Sequence, residues 1–235
     1  LETGYRLIDT ATIYHNETET GNAIRQSGLP REEIFLTTKV WNTDQGYDKT
    51  MRAFDASERR LNCGYIDLYL VHWPVKSTRR DTWKALETLY LDKRVRAVGV
   101  SNYLPPFMEE LFGYAELTPA VNQVEFSPYL YLKELLDLCR QRGVVLQAYS
   151  PLARGQRMND PKLTALAEKH GKTPAQVMLR WILQHGVSAI PKSANLKRLQ
   201  ENFDVFDFRL TDDDMAAMDN FNENFRVVDD PTVML

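Results

Sequence analysis

Asp9, Tyr14, Lys39 and His72 are the residues of this sequence whose types, taken together, could run a reaction on a carbonyl group. A phenol with a pKa of ~10 is a poor acid at neutral pH until a neighbouring cation stabilises its phenolate. Lys39 can provide that cation, and Asp9 can hold and neutralise the ammonium where water is scarce. A neutral His72 could then donate to a carbonyl oxygen and orient it. Such a set protonates an alkoxide as it forms. It contains no nucleophile–base pair of the Ser-His kind. The four histidines (His15, His72, His170 and His185) lack the spacing of metal ligands, which argues against a metal-dependent hydrolase. Taken singly, each residue has a plainer explanation. Asp9 could cap a turn, Lys39 could be a solvated strand-end charge, and His72 could be a satisfied core histidine.

A second group is electrostatically unusual. The stretch Ile190-Pro191-Lys192-Ser193-Ala194-Asn195-Leu196-Lys197-Arg198 gathers Lys192, Lys197 and Arg198 around a helix start that Asn195 would cap. Cations are favoured at helix C-termini, because the N-terminus already carries about half a positive charge. Solvated surface is one explanation. An anion held by free backbone N–H groups, Ser193 and the basic side chains is the other. Among the aromatics, Trp41 and Trp73 directly follow Val40 and His72 and are expected beside the reacting groups as substrate contacts, whereas Trp83 and Trp181 lie on helical stretches and suit packing. Tyr149 could stack on a flat ring or serve as an ordinary core tyrosine.

These residues need elements to position them, and the sequence shows which. Apolar, β-branched or aromatic runs recur at Tyr5–Ile8, Ile34–Val40, Ile66–Trp73, Val95–Val100, Ala120–Phe126, Val144–Tyr149 and Ser188–Ile190. Charged, Leu- and Ala-rich stretches of helical length separate them, such as Thr50–Leu61, Thr82–Tyr90, Leu132–Arg142 and Leu163–His170. Strand starts fall about 30 residues apart, the size of one βα unit. The last interval holds an extra helix, announced by an N-cap, Pro at N1 and Gln at N3 in Thr173-Pro174-Ala175-Gln176. Alternation of this kind predicts right-handed βαβ units and a parallel sheet. No G-x-G-x-x-G follows the first strand, as a doubly wound sheet would usually require. With no linker and no change of composition, residues 1–235 are expected to form one α/β domain, a (β/α)8 barrel of the TIM type. In such a barrel the strand ends converge: Asp9, Lys39, His72, Ser101-Asn102, Gln123, Tyr149-Ser150 and Lys192-Ser193 all lie where an apolar run stops.

The opening Leu1-Glu2-Thr3-Gly4 reads as the tail of a helix with Gly4 at its C-cap. Seven strands do not complete an eight-stranded barrel. The expectation is that one βα unit and a short hairpin, roughly 35–45 residues, precede Leu1.

Bulk properties exclude several classes. With 43% hydrophobic residues and a net charge of −3, the chain is expected to fold, and it lacks a basic face for nucleic acid or an anionic membrane. No apolar run approaches ~18 residues, so no membrane span is expected. Cys63 and Cys139 alone suit neither a disulfide framework nor a zinc site, and a reducing cytoplasm is the expected compartment.

Eight ordered segments carry a resemblance. They are Gly4-Tyr5-Arg6-Leu7-Ile8-Asp9-Thr10-Ala11, Tyr14-His15-Asn16-Glu17, Thr37-Thr38-Lys39-Val40-Trp41, Leu68-Tyr69-Leu70-Val71-His72-Trp73-Pro74, Gly99-Val100-Ser101-Asn102, Asn122-Gln123-Val124-Glu125, Ser150-Pro151-Leu152 and Ile190-Pro191-Lys192-Ser193. In this order they resemble the aldo-keto reductases over essentially the whole chain, and most of all the small monomeric reductases of the prostaglandin F synthase and 2,5-diketogluconate reductase type. The resemblance implies NADPH-dependent reduction of aldehydes and ketones by hydride transfer from the nicotinamide, with Tyr14 as proton donor, Lys39 its activator, Asp9 the partner of Lys39, and His72 the carbonyl orienter. It implies that Ser101, Asn102 and Gln123 hold the nicotinamide carboxamide and that Tyr149 stacks under the ring. Ser150 and Leu152 would lie along the pyrophosphate. Lys192, Ser193 and Arg198 would bind the 2′-phosphate, and Glu201 and Asn202 the adenine. A small-molecule carbonyl substrate and a monomer are the expected partner and state. Two departures stand out: Ala153-Arg154 replaces the Gly and small or polar residue that follow the Leu in many members, and Asn222–Leu235 diverges from the family's specificity tail. Two other readings stay open: a cofactor-binding subunit without turnover, and an inactive truncated product.

Overall fold

The computed structural model describes residues 1–233. Its strands and helices alternate along the chain, which divides into two compact units: residues 1–122 with 141–144 and 231–233, and residues 123–140 with 145–230.

The first unit contains β1 (Leu7–Asp9), α1 (Glu17–Gln26), β2 (Phe35–Val40), α2 (Tyr47–Leu61), β3 (Ile66–Val71), α3 (Arg79–Leu91), β4 (Val95–Ser101) and α4 (Pro105–Phe112). Its strands pair in parallel and in chain order, with Asp9 beside Thr37, Thr37 beside Leu68, and Leu68 beside Ala97. Five of the six residues of β2 and all six of β3 are buried, as expected of parallel strands with neither face open to solvent. Gly21 lets α1 lie against the end of α2, because a Cβ there would stand 1.8 Å from the Leu61 carbonyl oxygen. One charge interrupts the apolar pattern of β3. The Asp67 side chain has no exposed surface, and it accepts from Arg31 at 2.7 Å, from Arg96 at 2.9 Å and from the Leu36 N–H at 2.9 Å. A buried carboxylate is tolerable only with this many donors.

β5 (Val121–Glu125) begins at the end of the first unit and continues into the second, followed by α5 (Lys133–Gln141), β6 (Val145–Tyr149), α6 (Pro161–His170), α7 (Pro174–Gln184), β7 (Ser188–Ala189), α8 (Leu196–Phe203) and α9 (Asp212–Asp219). β6 and β7 pair in parallel, Gln147 beside Ser188. The two helices between them include the extra one announced by Thr173. That residue caps α7 in a full capping box, its hydroxyl accepting from the Gln176 N–H while the Gln176 side chain accepts from the Thr173 N–H at 3.0 Å. α9 is fastened through Asp214, which accepts from Lys169 at 2.6 Å and bonds His170 at 2.8 Å.

Every expected strand is present, with ends moved by one or two residues. The two-residue shifts are at the start of β1, which begins at Leu7, and at the end of β3, which stops at Val71 and leaves His72 and Trp73 in the turn beyond it. Leu1–Gly4 forms a turn closed by the Gly4 N–H on the Leu1 carbonyl at 3.0 Å, with Gly4 at φ 100. Cys63 and Cys139 are both free thiols. No described helix is long and apolar enough to cross a membrane.

Candidate active site

β1 ends at Asp9, β2 carries Lys39 at its penultimate position, and His72 follows β3 by one residue. Parallel register places these ends side by side. Lys39 is fully buried, and its ammonium donates to Asp9 Oδ1 at 2.5 Å and to the Thr10 carbonyl at 2.9 Å. An unpaired ammonium at this depth would carry a penalty of several kcal/mol, which the carboxylate and carbonyl offset.

Tyr14 closes the short 3-10 turn Thr12–Tyr14 that follows β1. The turn is fastened to β2 by the Thr12 hydroxyl, which donates to the Lys39 carbonyl at 3.1 Å, and it ends on His15 in the left-handed region. This places the Tyr14 ring 5.1 Å from the Lys39 ammonium and 5.8 Å from the His72 ring, edge to face at 88°. Trp41 meets the same imidazole at 5.1 Å. Tyr14 stays 49% exposed, so the phenol is open to solvent while the cation beneath it is sealed.

Burial, and secondarily the Lys39 charge, pushes the His72 pKa down from 6.5 to about 3. The imidazole is therefore neutral at pH 7, with one ring N–H left to donate. The unfolded chain takes up the extra proton first as pH falls, so this contribution to stability is complete above about pH 6.5 and is lost progressively toward about pH 3. His72 Nδ1 makes no hydrogen bond within the described residues. Trp73 is buried, and Asn102, at φ 67, donates its side-chain amide to the His72 carbonyl at 2.9 Å and to Ser101 Oγ at 3.2 Å. Asp9, Tyr14, Lys39, Trp41, His72, Trp73, Ser101 and Asn102 thus all lie in the first unit.

The other expected site residues lie in the second unit. Gln123 is buried and donates to Gln147 Oε1 at 2.7 Å. Tyr149, Ser150 and Leu152 are half-buried at the end of β6 and in the loop after it. That loop gives a physical account of the Ala153-Arg154 departure. Ser150, Ala153 and Arg154 have φ of 46, 46 and 50, and Gly155 has φ 79, so Ala153 and Arg154 occupy left-handed positions where a residue without Cβ fits at least cost. Around α8, Asn195 caps the helix by accepting from the Arg198 N–H at 3.1 Å. Lys192, Lys197 and Arg198 are exposed and form no ion pair among the described residues. Glu201 accepts from the Thr173 hydroxyl at 2.8 Å, and Asn202 is buried.

Sequence reasoning assigned no role to Glu125, whose carboxylate receives the Val227 and Val228 N–H groups at 2.7 and 3.1 Å and so ties the C-terminal segment to β5. Its place in the Asn122-Gln123-Val124-Glu125 motif was the available signal. A cleft of about 430 Å³ lined by Arg25, Arg59, Arg60 and Asn62 contains none of these residues.

The model of the Aldo/keto reductase family matches residues 1–223. A glyoxal reductase of Bacillus subtilis (strain 168) is 52% identical over 100% of this chain and 85% of its own length. An aldo-keto reductase from a Medee basin deep-sea metagenome library has a TM-score of 0.94 at 43% identity, covering 97% of this chain and 86% of that one. The Bombyx mori aldo-keto reductase, solved in complex with NADP, has a TM-score of 0.90 at 37% identity, covering 97% of this chain and 82% of that one. The βα alternation read from the sequence is the fold of these oxidoreductases, and the chain belongs to the aldo/keto reductase family.

Proposed function

We propose that this chain is an NADPH-dependent reductase of small aldehydes and ketones, in which Tyr14 protonates the carbonyl oxygen. The observation that carries the reading is the sealed Lys39 ammonium, paired with Asp9 at 2.5 Å and lying 5.1 Å from the ring of the exposed Tyr14. The cation lies close to where negative charge develops on Tyr14 Oη as its proton passes to the substrate oxygen, and it stabilises that transfer. Asp9 keeps the ammonium charged and fixed. Neutral His72 donates an imidazole N–H to the same oxygen and sets the angle at which the carbonyl lies. Trp41, against His72, and Trp73 flank the substrate and exclude water from it.

The residues fit NADPH. Three exposed cations with no acidic partner among the described residues surround a capped helix start at α8, which suits a phosphate. In the first unit the buried Asn102 amide, with Ser101, suits a carboxamide; in the second the buried Gln123 amide is of the same chemistry and Tyr149 offers a half-buried ring to stack on. Ser150 and Leu152 would follow the pyrophosphate, Lys192, Ser193 and Arg198 the 2′-phosphate, and Glu201 and Asn202 the adenine. When bound, this cofactor supplies the hydride. The Bombyx mori relative was solved with NADP, which supports the same choice here. On this reading residues 1–235 act as one catalytic domain, monomeric and cytoplasmic, with no metal.

Hydrogen bonds to charged groups are worth ~1.5–3 kcal/mol each, so two or three partly exposed contacts to a 2′-phosphate should favour NADPH over NADH by about 2–4 kcal/mol. That is roughly 30-fold or more in affinity. Fluorescence titration of the intact protein with both cofactors checks this. Equal affinity would remove the anion site from the account.

A further inference from the structure

His72, Trp73 and Pro74 lie beyond the end of β3, and the last backbone tie to β2 is the His72 N–H, which donates to the Val40 carbonyl at 3.3 Å. Three side chains from three different places hold their three carbonyls in turn. Asn102 Nδ2 donates to the His72 carbonyl at 2.9 Å, Gln45 Nε2 to the Trp73 carbonyl at 2.8 Å, and Arg79 Nη1 to the Pro74 carbonyl at 3.3 Å. Arg79 is itself anchored on Glu110, to whose Oε1 its Nε donates at 2.9 Å. The Trp73 carbonyl also accepts from the Val75 N–H at 2.9 Å, a local turn bond that fixes the shape of the turn but not its position.

Gln45 is the member of this set that does the most joining. It lies in the loop between Trp41 and α2, with only 2% of its surface exposed. Its Oε1 accepts from the hydroxyl of Thr78, the N-cap residue of α3, at 3.3 Å, and its Nε2 also reaches Asn42 Oδ1 at 3.5 Å. A side-chain amide has both a donor and an acceptor end, and here each end is used on a different segment. One buried amide therefore ties the loop that begins at Trp41 to the turn that carries His72 and Trp73. Trp41 and His72 are themselves in ring contact at 5.1 Å.

We infer that Gln45 is a positioning residue for carbonyl reduction: by holding the Trp73 carbonyl it sets where His72 and Trp73 stand against Tyr14 and Trp41. This rests on the proposed role of His72. Gln45 touches neither substrate nor cofactor, so it acts on orientation, and misplacing reacting groups by about 1 Å can lower a rate 10²-fold.

The test uses Gln45→Met, which keeps length but removes both polar ends, in the full chain and in a His72→Ala background. Turnover of 4-nitrobenzaldehyde, NADPH affinity and thermal midpoint are measured for each. The expected result is a fall in kcat of about 10- to 100-fold with NADPH affinity unchanged. That loss should shrink to within about twofold when His72 is already absent, because coupled residues are not additive. If Gln45→Met does not fold, Gln45→Glu carries the test, since it keeps the acceptor for Thr78 and loses the donor for Trp73. Wild-type turnover in the Gln45 variant, or an equal loss with and without His72, overturns the inference while leaving the role of His72 standing. Wild-type turnover in His72→Ala alone overturns the site reading itself, and this inference with it. A purely structural role would lower the thermal midpoint and leave the two backgrounds additive.

Discussion

Replacing Tyr14 with phenylalanine should reduce turnover by at least about 10²-fold while cofactor still binds. A positioned acid is typically worth 10²–10⁴-fold in rate, and Tyr14→Phe removes the acidic proton and nothing else of size. The ring contacts survive, because the aromatic faces that meet Lys39 at 5.1 Å and His72 at 5.8 Å are those of the phenyl ring. Folding should be little affected, since Tyr14 is 49% exposed. The loss should therefore appear in kcat, with NADPH affinity and thermal midpoint close to wild type. Steady-state kinetics beside a cofactor titration check it. Near-wild-type turnover would remove Tyr14 from the chemistry.

Lys39→Met is expected to act on stability and turnover together. Methionine replaces the stem but not the charge, and Asp9, with 12% of its side chain exposed, then faces a buried site without its cation. Breaking a buried pair by deleting one partner typically destabilises by 3–5 kcal/mol, and about that loss is expected in chemical denaturation at neutral pH. The Thr10 carbonyl loses its donor as well. Turnover should fall by at least about 10²-fold even well below the new thermal midpoint, because the phenol has lost the charge that stabilises its phenolate. Restoring the pair's neutrality with Asp9→Asn in the same chain should recover part of the stability and none of the rate. Recovery of both would mean that Lys39 only supports the fold.

The elements that place these groups were legible because buried parallel strands read as apolar or β-branched runs: β3 does so with Asp67 as its exception, and β2 does so through Phe35, Leu36, the β-branched Thr37 and Thr38, and Val40 around Lys39. Helix starts were legible where capping chemistry is local, as in the Thr173 capping box and the Asn195 cap. Other features depend on partners distant in sequence. Asp67 looks like a defect in the β3 pattern until Arg31 and Arg96 are seen on either side of it. Glu17 looks like a helix-start acid, yet it is buried, accepting from the Thr38 hydroxyl at 2.6 Å and from Arg60 Nε at 2.7 Å. Gln45 has no signal at all in a polar loop, since its role exists only through the Trp73 carbonyl. Ala153 and Arg154 could be singled out as a departure from the family pattern, but their left-handed backbone is a property of the folded loop. For the tetrad, residue chemistry suggested the roles. Contact distances then showed that Lys39, Asp9, Tyr14 and His72 lie in one cluster of the first unit.

The most direct test of the account is consumption of NADPH by the purified chain with a small aldehyde such as 4-nitrobenzaldehyde, with product alcohol measured alongside. The account predicts continuous oxidation of NADPH matched one for one by alcohol, dependent on both enzyme and aldehyde. Tight NADPH binding with no alcohol formed would contradict it and would make the chain a cofactor-binding protein without turnover.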